Sequence, residues 1–103
     1  METNKQNMIA GLFIAFAFEK LSVTGSVTSL TASKYGANVK RAVITVETAQ
    51  LRYKYNGDDP TASEGHVSQP QDIITIRGTQ NIQNFRAIRT GSTSATLHIT
   101  YEY

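Results

Sequence analysis

Alternating apolar and polar residues recur in short stretches along most of the chain. The alternation is clearest in residues 95–103, where alanine, leucine, isoleucine and two tyrosines take every second position. A period of two is the pattern of a strand with one packed and one solvated face. Similar stretches, or compact β-branched runs, predict further strands at residues 21–30, 42–46, 51–55, 73–76 and 82–90.

Turn-forming residues separate these predicted strands. Gly25 interrupts residues 21–30 and predicts a bulge or a tight turn between two short strands, and residues 31–40 are predicted to form a polar loop. The longest predicted loop is residues 56–72, which holds both prolines. We therefore predict an all-β fold, a single antiparallel β-sandwich of about seven or eight short strands, for which immunoglobulin-like and jelly-roll topologies both remain open.

The N-terminal part of the chain contains an uninterrupted apolar run at residues 8–18. It is too short to span a bilayer, which needs about 20 residues. We favour a strand that is buried or paired with a partner, and an arm on a neighbouring subunit is the next interpretation. A signal peptide is a third, since Lys5 precedes the run, but no Ala-x-Ala cleavage pattern follows closely. We assign residues 1–20 to an arm or first strand and residues 21–103 to the sandwich.

Composition narrows the classes of function. The chain has 103 residues, enough for one domain, and no cysteine, which excludes disulfides, thiolate metal sites and a cysteine nucleophile. Two histidines are too few for the common zinc patterns. A net charge of +2 is too small to indicate nucleic-acid binding. We predict no cofactor.

The loop at residues 56–72 contains the densest polar cluster. Its members are Asn56, Asp58, Asp59, Glu64 and His66. Such oxygen ligands suit a hard cation, and Glu64 with His66 would suit acid–base chemistry. The spacing does not match an EF-hand, Pro60 interrupts the cluster, and no nucleophile lies near in sequence. A solvated turn is the favoured interpretation, and we predict no metal site and no enzymatic activity.

Two further groups of residues suggest binding surfaces. Arg77, Arg86 and Arg89 lie close in sequence, and we favour a protein interface over single-stranded nucleic acid for them, because no RNA-binding motif accompanies them. Tyr35, Tyr53 and Tyr55, if exposed, would stack on sugar rings. A carbohydrate-binding module is therefore an alternative function.

Five phrases of the sequence together carry a family resemblance. They are residues 30–36 (LTASKYG), 42–53 (AVITVETAQLRY), 58–66 (DDPTASEGH), 84–90 (NFRAIRT) and 94–101 (SATLHITY). In this order, they resemble a family of small proteins encoded among the virion structural genes of tailed bacteriophages and prophages, over roughly residues 29–102. Members often carry Gly-Asp where this chain has Gln71-Asp72.

The resemblance implies a non-enzymatic protein of the phage virion. The first expectation is a capsid cement or decoration protein, and the second is a head–tail connector, tail or fibre-associated protein. Its partners would be the major capsid protein or other virion proteins and further copies of itself in a symmetric oligomer, not nucleic acid or a membrane. The arm would then supply the interface, with Arg86 and Arg89 as rim charges and His66 as a tip contact. The predicted arm contacts are Leu12, Phe13, Ile14, Phe16 and Phe18.

Overall fold

The computed structural model describes residues 12–103, which form eight strands and two short helices. The strands are β1 (Ala15–Val23), β2 (Thr28–Ser29), β3 (Arg41–Glu47), β4 (Leu51–Lys54), β5 (His66–Ser68), β6 (Ile73–Arg77), β7 (Arg86–Arg89) and β8 (Ala95–Glu102). The helices are α1 (Ala32–Tyr35) and α2 (Thr79–Asn84). The strands account for most of the regular structure, so the prediction of an all-β fold is confirmed.

The strands form two antiparallel sheets of four strands each. Their orders are β1-β8-β3-β6 and β2-β7-β4-β5. The first strand therefore pairs with the eighth, the second with the seventh, the third with the sixth and the fourth with the fifth. This nested pairing is the jelly-roll arrangement of two four-stranded sheets. Of the two topologies left open by the sequence, the structure has the jelly roll.

The core lies between the inner faces of the two sheets. In β3 and β8 every second residue is buried, as the alternating pattern predicts. Ile44 of β3 lies directly opposite Ile99 of β8 and Ile74 of β6, so branched side chains fill the centre of the first sheet. Leu51 of β4 and Phe85 add apolar bulk from the other side. Burial of these side chains is the main contribution to stability.

Three local predictions differ from the structure. The predicted loop at residues 56–72 contains β5, whose three residues are too few to show an alternating pattern. The predicted strand at residues 82–90 begins in α2 instead, because a helix of six residues gives no readable period. The predicted loop at residues 31–40 contains α1. Within α1 the ring of Tyr35 is buried against that of Tyr101, so Tyr35 does not meet the condition of exposure that stacking on a sugar requires.

The apolar N-terminal run is described from Leu12 onward. Residues 12–14 precede β1, and Ile14 exchanges two backbone hydrogen bonds with Tyr103 (2.9 and 3.0 Å). The boundary assigned between residues 20 and 21 therefore falls inside β1. Residues 1–11, which include Lys5 and the start of the apolar run, lie outside the described residues.

Candidate functional site

Strand β1 forms one edge of its sheet. It pairs with β8 along one side, and within residues 12–103 no strand pairs with its other side. An edge strand presents unpaired backbone N–H and C=O groups, and these can pair with another chain. At nine residues β1 is the longest strand of the fold, so this edge is the most extended one that the described residues offer.

Apolar side chains lie exposed along this edge. Leu12 is 71% exposed, Ile14 59%, Phe18 55% and Phe16 38%. Exposed apolar side chains in a contiguous stretch mark a site of interaction with another molecule. Phe13 differs from them, because the Arg41 guanidinium lies 3.9 Å from the centre of its ring and half-covers it. We define the β1 edge as Leu12, Ile14, Phe16 and Phe18 with the backbone of β1.

The alternation of β1 decides which side chains reach solvent. Glu19 and Val23 point into the core, whereas Phe18 and Lys20 point away from it. The pairing with β8 is irregular between Ala15 and Ala17, where Phe16 is the extra residue. A bulge of this kind re-aims a side chain at a sheet edge. It places the Phe16 ring 4.9 Å from that of Tyr103, so a tyrosine extends the apolar surface.

The outer face of the sheet continues from the β1 edge without charges at its centre. The row that crosses all four strands consists of Phe18, Thr100, Val43 and Thr75. Charged side chains lie on either side of this row. Arg41, which pairs with Glu102, and Arg77 flank it toward one end, and Lys20 flanks it toward the other, where His98 contacts Glu47 at 3.1 Å. A partner that covers only this row would therefore not have to desolvate a charge.

A buried carboxylate fixes β1 to the rest of the fold. Glu19 points inward and is 7% exposed. Its Oε2 accepts hydrogen bonds from the Tyr101 hydroxyl (2.5 Å) and from the Thr31 backbone N–H (3.1 Å). Burial, followed by the hydrogen bond and negative charge of Glu19, raises the pKa of the Tyr101 phenol. These contacts fix the inward orientation of Glu19, so Phe18, its neighbour on the opposite face of β1, remains exposed to solvent.

The other residues predicted for the interface lie in the second sheet. His66 is in β5, at an edge of that sheet, and Arg86 and Arg89 are at the two ends of β7. The Arg86 guanidinium donates to the backbone carbonyls of Gln83 and Phe85, and that of Arg89 donates to Ser94 Oγ (3.1 Å). The structure thus groups the apolar residues of the β1 edge but does not gather the arginines and His66 around them.

The polar loop around Asp58 is held by local hydrogen bonds. Asn56 Oδ1 accepts the Asp58 backbone N–H, and Asn56 Nδ2 donates to Asp58 Oδ2, both at 3.1 Å. This is an Asx turn, which accounts for the sequence pattern. Glu64 lies 3.9 Å from Lys54, and Asp59 lies 4.0 Å from Arg86. Across residues 12–103, no three His, Asp or Glu side chains are grouped as metal ligands would be.

An aromatic cluster between β4 and β5 was not recognised in the sequence as one site. Tyr53 lies directly opposite His66 in the strand pairing, and their ring centres are 5.4 Å apart. Tyr55, just after β4, lies 6.1 Å from His66 and is 42% exposed. The sequence shows the two tyrosines but places His66 in a loop. Only the pairing of β5 with β4 brings the three rings together.

In comparisons with known proteins, no family model matches the chain, and no curated protein or solved structure is significantly similar to it. The resemblance to phage virion proteins therefore stays a prediction. In the part of the chain that the structure describes, no helix is both long and apolar enough to cross a membrane.

Proposed function

We propose that this protein is a non-enzymatic structural component of a bacteriophage virion, a cement or decoration protein that docks on the major capsid protein. The observation that carries the proposal is the β1 edge, where four exposed apolar side chains lie along an edge strand and the residues just before it, and one side of that strand pairs with no other strand of the described residues. The setting in a virion comes from the sequence resemblance, and the docking surface comes from the structure.

Backbone and side-chain features support docking at the same place. An unpaired edge can extend the sheet of a partner, with main-chain hydrogen bonds giving affinity and alternate side chains giving specificity. Phe16 and Phe18 supply aromatic anchors of the kind that dominate interface energetics. The uncharged row beyond Phe18 gives the partner an adjoining surface that it can cover at low electrostatic cost.

The fold is compatible with this function and does not by itself specify it. Jelly rolls occur in viral capsid domains and also in lectins and cupins. Function has to be argued from the site, and the site that supports this proposal is the exposed apolar β1 edge. A head–tail connector, tail or fibre-associated protein is the second candidate, since it would use the same edge at a different position in the particle. Either role permits symmetric contacts between copies.

Cryo-electron microscopy of reconstituted particles tests the proposal. Purified protein is mixed with assembled phage shells that lack it, and the particles are imaged. Ordered density at symmetric lattice positions, with β1 against the shell, is the expected result. Density confined to a unique vertex or to the tail would favour the connector or tail role instead. Shells and tails that remain bare would contradict the proposal.

Two matched variants locate the docking surface. Phe18→Lys places a charge on the β1 edge, and Ile73→Lys places one on β6, the opposite edge of the same sheet, where Ile73 is 67% exposed. Because both side chains are on the surface, we expect both variants to keep their stability within about 1 kcal/mol. Phe18→Lys should lose decoration and Ile73→Lys should retain it. The reverse result would exclude β1 as the docking edge.

A further inference from the structure

Two clefts share Tyr55 as a lining residue and lie away from the β1 edge. The first has a volume of about 410 Å³ and is lined by Lys54, Tyr55, Asn56 and His66. The second, of about 340 Å³, is also lined by Tyr55, together with Tyr53, β6 and Asn81. Both are within the size range of small-molecule sites, about 300–1,000 Å³. Tyr55 therefore contributes to both depressions.

The ring of Tyr55 is held in place by an aromatic stack. It lies at 25° to Tyr53, with centres 6.4 Å apart, and at 30° to His66. Tyr53 is in turn stacked on Phe85 at 5.5 Å, and Phe85 is almost completely buried. The exposed ring is thus connected to the core through neighbouring rings. A ligand that stacks on it meets a preformed surface, so little ordering entropy is lost on binding.

The basic side chains beside the first cleft have local partners. Lys54 lies 3.9 Å from Glu64, and Arg86 lies 4.0 Å from Asp59. Arg52 donates to backbone carbonyls of the loop after β4, at Ala62 and Gly65. Binding of a phosphate-bearing or sulfated polymer depends on cations that are free to neutralise its charges. These local partners, with a single arginine, Arg77, lining the second cleft, favour a neutral ligand over a polyanion.

We propose that the Tyr55 clefts bind a neutral oligosaccharide. A pyranose ring has an apolar C–H face that packs on an aromatic ring, and hydroxyls around its rim that need donors and acceptors. Tyr55 supplies the first, and Lys54, Asn56 and His66 supply the second in the first cleft. Thr75, Arg77 and Asn81 line the second cleft, so a neighbouring sugar unit would find polar partners there. This function is independent of docking through β1.

The test is titration of the whole protein with purified oligosaccharides, followed by NMR. The probes are hexasaccharides of glucose, mannose and galactose, with a sulfated hexasaccharide for comparison. We expect one of the neutral hexasaccharides to shift the resonances of Tyr55 and His66. Tyr55→Ala should weaken that binding at least about tenfold, because stacking and its buried area are lost.

The chain offers a matched control for the loss of an exposed tyrosine. Tyr103 is 49% exposed, close to the 42% of Tyr55, and packs on Phe16 at the β1 edge. Tyr103→Ala should bind the hexasaccharide within about twofold of the parent. Tyr55→Phe, which keeps the ring, should bind far better than Tyr55→Ala and so separates stacking from a loss of folding.

Three results would overturn the proposal. The first is the absence of any resonance shift with all three neutral hexasaccharides at millimolar concentration. The second is an equal loss of affinity in Tyr55→Ala and Tyr103→Ala. The third is tighter, strongly salt-dependent binding of the sulfated hexasaccharide, which would indicate a polyanion site.

Discussion

The hydrogen bond between Tyr101 and Glu19 gives the sharpest prediction for the scaffold of the β1 edge. Tyr101→Phe removes one hydroxyl and leaves the ring in the core. Glu19 then keeps the Thr31 N–H as its partner and remains 7% exposed. A hydrogen bond to a charged group contributes about 1.5–3 kcal/mol, so we expect a loss of about 2 kcal/mol at pH 7. For a domain of this size that corresponds to a fall in Tm of about 8–16 °C.

The same contact predicts how stability depends on alkaline pH. The pKa of Tyr101 is raised in the folded protein, whereas an unfolded tyrosine titrates near pH 10. Above pH 10 the unfolded state therefore binds fewer protons than the native state, and the free energy of unfolding falls by about 1.4 kcal/mol per pH unit. Below pH 10 this contribution is fully present. The advantage of the parent over Tyr101→Phe should thus shrink by about 1.4 kcal/mol between pH 9 and pH 11.

Urea unfolding at pH 7, 9 and 11 measures both effects, with an unchanged m-value as the check that two-state behaviour is retained. Tyr103→Phe, at a half-exposed position, is the control and should stay within about 0.5 kcal/mol of the parent. Burial also raises the pKa of Tyr53, which adds an equal alkaline slope to all three proteins. A cost below about 0.5 kcal/mol at pH 7, or the same alkaline slope in parent and variant, would refute the reasoning.

Two further substitutions, with Gly91→Ala as a control, test the packing of the sheets by urea unfolding. Gly65 has a φ of +135°, and a Cβ there would lie 3.2 Å from Pro60 Cβ and from the Tyr53 carbonyl oxygen, so Gly65→Ala should cost about 1–3 kcal/mol. Gly91→Ala, where a Cβ meets no atom within 4 Å, should cost less than about 0.5 kcal/mol, and equal effects would contradict the strain argument. Ile44→Ala should cost about 2–5 kcal/mol because Ile44 is fully buried in a central strand, whereas a loss below about 1 kcal/mol would mean that the site collapses around the smaller side chain.

The long strands could be predicted from the sequence because their alternation is strong. Residues 42–46 and 95–103 correspond to β3 and β8, where β-branched and aromatic residues occupy the inner positions. The shorter β5 and α2 could not be predicted, since three and six residues are too few to define a period. The choice between sandwich topologies needs the order of strands within each sheet, which local patterns do not contain.

The candidate sites, too, could be predicted from the sequence only in part. The apolar run identified Leu12 and Phe18 as candidate contacts, and the structure leaves both exposed; that they dock on a partner stays a prediction. The sequence could not show that β1 is an edge, because its partner β8 lies at the other end of the chain. It likewise could not join His66 to the tyrosines. The sequence left the exposure of Tyr35 open, because its polar neighbours give no sign of its contact with Tyr101.

The nested pairing of the strands also has a consequence for biosynthesis. On the ribosome, β4 and β5 can form their hairpin early, whereas β1 has no partner until β8 has emerged, since Ala15 pairs with Glu102 and Val23 with Ala95. Closing so long a loop is slow, and apolar segments left unpaired during that time are prone to aggregate. Strand β1, which is proposed to dock on the capsid, is therefore the strand that stays unpaired longest during synthesis. The yield of folded protein in the cell should depend on how quickly β8 is synthesised after β1. Chaperone binding to nascent chains should concentrate on residues 12–18.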